Sequence, residues 1–383
     1  MGFDLQWLLL GLPLTFAIGW IASRFDLRQW RGEQKDSPKA YYKGLNLLLN
    51  EQHDKAIDAF IEAVQQDPDT SDLHFALGNL FRRRGEYERA VRVHEHLLNR
   101  ADLPRAERDR AQHALAQDFM KAGLFDRAET AYQALSGTAF DTEARLALLT
   151  LYERSRDWRA AADVASKLEQ RGAGSFASRI AHYWCEIAIE ADAKHQGTEA
   201  DAALQKARDT APQAARPLVL SGDRAAARGD HLEALSLWGA LIVTHPAMFS
   251  LVAHDYARSA LACGQGPDAL ERLLALYRRT PTMDLLGALE TLDPQPAARR
   301  ERLLGQLRDH PTLSAAQAVL AQHETAPFST TETKALRDAV GRAATPMQRY
   351  RCAACGFEAQ HYFWQCPGCL SWDSYPPQRL EDL

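Results

Sequence analysis

"LHFALGNLFRRRGEYERAVRVHEHLL", residues 73–98, holds two amphipathic segments joined by a short Gly-bearing turn, and its pattern recurs along the chain. Self-similarity at a fixed period of about 34 residues decides the fold class before any single element does. With position 1 of the frame at Ser37, Gly44 stands at position 8, Ala56 at 20, Phe60 at 24, Ala63 at 27 and Pro68 at 32. The next unit gives Gly78, Phe81 and Ala90 at positions 8, 11 and 20. After a four-residue slip, "HALAQDFMKAGLFDRAETAYQAL" (113–135) brings Phe119, Ala128 and Tyr132 into register. "LLTLYERSRDWRAAADVASKL" (148–168) follows with Tyr152 and Ala161. A looser fifth unit ends at Ala200, Ala207 and Pro212, and "LSGDRAAARGDHLEALSLWGALIVTHP" (220–246) supplies Gly222, Ala234, Trp238 and Pro246. A seventh runs to Ala269 and Pro281, and a degenerate eighth ends near Pro311.

Each position has a physical reason. Small residues at 8, 20 and 27 let paired helices approach closely, and Pro at 32 ends the second helix because it lacks an N–H and clashes with the preceding turn. "RGEY", "AGLF" and "RGDH" place Gly at the helix-to-helix turn, where a permissive backbone is needed. These are the marks of a tetratricopeptide repeat. One such unit cannot bury its apolar face, whereas stacked units can. The expectation is an all-α superhelical solenoid over residues 37–323, with a concave wall suited to an extended peptide or another protein.

Composition agrees. The chain has 383 residues, 46% hydrophobic and 25% charged, with a net charge of −5. That balance argues against a general nucleic-acid binder. P-loop, nucleophile-elbow, HExxH and dinucleotide fingerprints are missing from the sequence, so no enzyme is expected. Cys185 and Cys263 lie alone in apolar helical stretches and read as small buried hydrophobes. His182 and Cys185 share a helical face, but no second ligand pair lies nearby in sequence, so packing is expected there. The basic run "FRRRGE" (81–86) reads as a solvated face, with a docking patch for an acidic partner as the alternative.

The amino terminus differs from the rest. Residues 5–22, "LQWLLLGLPLTFAIGWIA", contain one amide and no charge. This is near the minimum for a helix spanning hydrocarbon. The only charge before the run is Asp4, which argues against a signal peptide. Arg24, Arg28, Arg31 and Lys35 follow it, and the positive-inside rule then leaves the carboxy-terminal body in the cytoplasm. We therefore expect an anchor over 1–23, a juxtamembrane linker over 24–36 and the array over 37–323. A connector over 324–348, with one helical stretch at Thr333–Arg342, and a final module over 349–383 complete the chain.

That module contains "YRCAACGFEAQHYFWQCPGC", residues 350–369. Two CxxC knuckles, Cys352/Cys355 and Cys366/Cys369, can place four thiolates at the corners of a tetrahedron about 2.3 Å from a metal. Such a site suits zinc or a single iron. Gly356 follows the first knuckle, as the left-handed turn there requires, whereas Leu370 follows the second, which is expected to be less regular. Tyr350, Phe357, Tyr362, Phe363, Trp364, Trp372 and Tyr375 either pad a very small core or bind another surface.

Anchor, repeats and "YRCAACGF…WQCPGCLSW" in this order resemble the lipopolysaccharide assembly protein B family of Gram-negative inner membranes. "NLFRRRGEYERAVRVHEHLL", "DFMKAGLFDRAE" and "IAHYWCEIA" resemble that family's repeats. The resemblance implies a rubredoxin-like module holding iron or zinc through Cys352, Cys355, Cys366 and Cys369, docked against the helical array. It implies a non-enzymatic adaptor in the inner membrane that regulates lipopolysaccharide biosynthesis. The partners it implies are the committed-step lipid A deacetylase, a membrane AAA+ metalloprotease that degrades it, and other inner-membrane lipopolysaccharide assembly and signalling proteins. Homodimerisation is left open. The alternative reading is an electron-transfer protein with a mononuclear iron site on a repeat scaffold.

Overall fold

The computed structural model describes residues 15–20, 37–50, 52–66, 70–310, 312–322 and 330–382. Two compact units divide between Ser155 and Arg156. Among the described residues, no helix is long and apolar enough to cross a membrane. The expected anchor falls on residues 1–23, of which only the helical residues 15–20 are described, and the linker over 24–36 lies outside the described residues. Pro68 and Pro311 of the repeat frame also lie outside them.

The first unit is built from helix pairs. α1 (Ser37–Leu49) pairs with α2 (His53–Gln66), and α3 (Ser71–Arg84) with α4 (Tyr87–Leu98). α5 (Arg105–Ala122) pairs with α6 (Phe125–Gln133), and α7 (Asp141–Ser155) completes the unit. The frame residues are the core: Ala56, Phe60, Ala63, Ala90, Ala128 and Tyr132 are all buried. The glycine at position 8 has a specific partner, the ring at position 24 of the same repeat. A Cβ on Gly44 would stand 2.9 Å from Phe60, and one on Gly78 2.5 Å from His94. The turn glycine works as the sequence suggests. Gly85 has φ 84°, its N–H reaches the Arg82 carbonyl, and the Glu86 N–H reaches back to Phe81. These bonds satisfy carbonyls that the end of α3 would leave orphaned.

The basic run is solvated in part, with Arg83 and Arg84 exposed, and in part engaged inside the fold. Arg82 donates to Asp118 at 2.8 Å in the following helix pair, and Arg84 pairs with Asp54 in the preceding one. Asp118 is fully buried and also meets Nδ1 of the buried His94. The run therefore staples three consecutive pairs.

The second unit continues the pattern. It contains α8 (Trp158–Gln170), α9 (Ala177–Ala193), α10 (Gly197–Thr210), α11 (Ala215–Ala227) and α12 (His231–Thr244). α13 (Ala253–Ala262), α14 (Gly266–Arg279), α15 (Met283–Leu292) and α16 (Pro296–Asp309) follow. Trp238, wholly buried, lies over Gly222, and its core extends through Ala234, Phe249, Tyr256 and Leu273 to Leu289. Asp157 and Asp230 cap α8 and α12, accepting from the N–H groups of Ala160 and Glu233. The helical stretch expected at Thr333–Arg342 is present and extends a few residues at each end. α18 (Thr330–Ala344) packs against α17 (Leu313–Gln322), one more helical hairpin after the degenerate repeat. The stretch "TTETKALRDAVGRAA" carries good helix formers such as Ala, Leu, Lys and Arg.

Candidate metal centre and its docking surface

After α18, a two-stranded antiparallel ribbon frames the first knuckle: β1 (Tyr350–Arg351) pairs with β2 (Glu358–Ala359). The Gly356 N–H donates to the Cys352 carbonyl at 2.8 Å, and the Cys352 N–H to Phe357 at 2.9 Å. The second knuckle repeats this arrangement and corrects the expectation of irregularity. The Leu370 N–H donates to the Cys366 carbonyl at 2.8 Å, and the Cys366 N–H to Ser371 at 2.9 Å. Leu370 takes φ 60°, against 77° for Gly356. A left-handed non-glycine residue costs roughly 1–2 kcal/mol, which the closed knuckle offsets with its two backbone bonds.

Both turns point sulfur at one spot. The four Sγ atoms of Cys352, Cys355, Cys366 and Cys369 all lie within 4.8 Å of one another. Across the knuckles, Cys352–Cys369 is 3.8 Å and Cys355–Cys366 is 3.7 Å. A tetrahedron with bonds of about 2.3 Å has edges of about 3.8 Å, so these spacings fit one tetrathiolate ion. Cys352 and Cys366 are buried, Cys355 and Cys369 exposed. Burial opposes ionisation of Cys352, yet the Ser374 hydroxyl and the N–H groups of Cys355 and Ala354 hold its pKa down to about 6. Hydrogen bonds from Ser371 likewise lower Cys369. Thiolate is the ligand form.

Five of the module's seven aromatics divide between the two roles open to them, and Phe357 and Phe363 stay exposed. Tyr350 and Tyr375 are buried with Cys352 and Cys366, and Tyr362 packs against them. The Tyr362 hydroxyl donates to the Tyr375 carbonyl at 3.2 Å. Trp364 and Trp372 instead face helices of the second unit. Trp372 stacks on His182 with centroids 4.7 Å apart and meets Trp158 and Tyr183 edge-on at 6.2 and 6.0 Å. Arg216, buried and paired with Glu186 at 2.6 Å, lies over both tryptophans. His182 Nε2 is 2.8 Å from Asp373 Oδ2, and the Ser178 hydroxyl donates to the same oxygen at 3.2 Å. Partial burial would raise the Asp373 pKa; the His182 and Ser178 hydrogen bonds and the Arg216 charge outweigh it and hold Asp373 below the usual carboxylate range.

Further along, Arg379 meets Asp284 at 3.3 Å and Glu381 accepts from Ser314 at 2.6 Å. The module is thus seated on α8, α9, α11, α15 and α17. Reading the sequence missed His182, Arg216, Trp158 and Tyr183 as parts of this seat. The available signal was "AHYWCE" (181–186), where a histidine followed by two large aromatics interrupts an otherwise aliphatic and alanine-rich helix. Cys185, also on α9, stays outside the cluster as a buried thiol that burial pushes up to about 12.

Residues 350–376 match the rubredoxin metal binding domain, and residues 73–109 the tetratricopeptide repeat. Over 384 residues the chain is 32% identical to lipopolysaccharide assembly protein B of Escherichia coli K12, covering 98% of both chains. The chain belongs to the lipopolysaccharide assembly protein B family. The Haemophilus influenzae member is 28% identical over 401 residues, covering 97% of this chain and 98% of that one. In this family member the helical repeats and the four-cysteine module form one continuous fold from α8 to the end of the described residues.

Proposed function

We propose that the chain is a non-enzymatic adaptor, tethered to the inner membrane by residues 1–23, whose body in the cytoplasm regulates lipopolysaccharide biosynthesis. It presents the committed-step lipid A deacetylase to a membrane AAA+ protease for degradation. Cys352, Cys355, Cys366 and Cys369 bind one tetrahedral ion, iron or zinc. The observation that carries this reading is the seating of the module: its two tryptophans are spent on α9 and α11, so it acts as part of the scaffold. A module of about 35 residues has too little core to fold alone, and metal supplies what the core lacks. The scaffold and module then offer a joint surface to protein partners. Depletion of the chain in its native host tests the regulatory role. Deacetylase abundance rises if the reading is right, and an unchanged level refutes it.

A second reading draws on one observation, the exposure of Cys355 and Cys369. An exposed thiolate edge gives electrons a short path to a mononuclear iron. Purified protein that is red, bleaches on reduction and accepts electrons from a reductase supports electron transfer. Colourless protein carrying one zinc rules it out.

A further inference from the structure

Five residues, Ser371–Tyr375, run between the sulfur cluster and the helices, and their side chains serve the two sides differently. Ser371 and Ser374 lie on the sulfur side: Ser371 Oγ is 3.4 Å from Cys369 Sγ, and Ser374 Oγ is 3.2 Å from Cys352 Sγ. Trp372 and Asp373 lie on the helix side, against His182 and Ser178. The backbone of the same strap is tied to both knuckles. The Cys366 N–H donates to the Ser371 carbonyl at 2.9 Å, and the Ala353 N–H to the Ser374 carbonyl at 2.7 Å. The Asp373 N–H donates to Trp364, the other tryptophan in the seat, at 2.9 Å. Moving Trp372 and Asp373 off α9 therefore moves the groups that fix Cys352, Cys366 and Cys369. Conversely, losing the ion frees the knuckles that hold the strap's backbone in place.

We propose that this strap makes metal retention and docking one coupled equilibrium, with His182 and Asp373 as positioning residues for an ion neither touches. The inference rests on the four-cysteine site proposed above. Groups that orient a metal's ligands from outside the coordination shell are commonly worth 10–100-fold in affinity. By linkage, whatever docking adds to metal affinity, metal adds to docking. His182 suits the role because it is buried with Nε2 on Asp373, and its ring is the platform for Trp372.

The test uses the full chain loaded with zinc or cobalt(II), and variants His182→Ala, Asp373→Asn and the two combined. The readouts are the rate of zinc transfer to a chromogenic chelator, the cobalt(II) charge-transfer spectrum, and deuterium uptake of residues 177–193. We expect release about 10–100-fold faster in each variant, with the tetrathiolate cobalt spectrum unchanged and uptake raised in 177–193. The double variant should release no faster than the faster single one, because the two residues act through one contact. Stripping zinc from the unaltered chain should raise uptake in 177–193 as well. Zinc release at the unaltered rate in both single variants overturns the coupling, whether or not 177–193 stays protected. Should His182→Ala lose its helical circular dichroism, Asp373→Asn, a change at a half-exposed side chain, carries the same decision. An unaltered chain that binds neither zinc nor cobalt refutes the four-cysteine reading itself, a result distinct from failure of the coupling.

Discussion

At the residue scale, buried polar groups in this chain act as staples. Asp118 is wholly buried between Arg82 and His94. Replacing it with Ala takes the carboxylate from the half-buried Arg82 and leaves the buried His94 ring nitrogen without its partner. Removing one member of a buried pair typically costs about 3–5 kcal/mol. We expect Asp118→Ala to lower the melting temperature by several degrees, while substitution of the exposed Glu88 leaves it unchanged. Asp373 gives a pH dependence. Its folded pKa is lowered, so its contribution to docking is present above the unfolded value of about 4 and is lost as pH falls through the folded pKa. Deuterium uptake of 177–193, corrected for intrinsic exchange, should rise below about pH 4, and Asp373→Asn should flatten that rise. These residues were the least legible in sequence. Asp118 and Arg82 look like ordinary surface side chains and His182 like a packing residue until the fold supplies partners 24 to 191 positions away.

Helices and turns were far more legible, because small-residue spacing and turn glycines are local properties. Gly44, Gly78 and Gly222 were picked out by the repeat frame, and each proves to be a close-approach site under a ring sixteen positions on. Gly222→Ala should force a Cβ into the Trp238 indole. Overpacking of this kind costs about 1–3 kcal/mol, read as a lower urea midpoint with the slope unchanged. Gly305, with open space where a Cβ would stand, should tolerate Ala. Beyond Pro311 the frame degenerates, and the helical stretch expected at Thr333–Arg342 is found as the somewhat longer α18, Thr330–Ala344. The second knuckle departs from its residue-type expectation. A residue-type rule disfavours Leu370 in a left-handed turn, whereas closure of the knuckle by two backbone bonds overrides the preference.

At the scale of the whole molecule, the site's chemistry was legible and its place was not. Two CxxC pairs announce a tetrathiolate site because the spacing is local, and the sulfurs do converge. The seat on α8, α9, α11, α15 and α17 joins residues far apart in the chain, and only the family resemblance foretold docking. In the function proposed above, docking is what makes the small metal module part of the adaptor. The most direct measurement is deacetylase abundance in a host whose own copy is replaced by Cys352→Ser/Cys355→Ser/Cys366→Ser/Cys369→Ser. The account predicts that the enzyme accumulates as it does on full depletion, with the altered chain still present at the membrane. Deacetylase held at its normal level by that chain would contradict it.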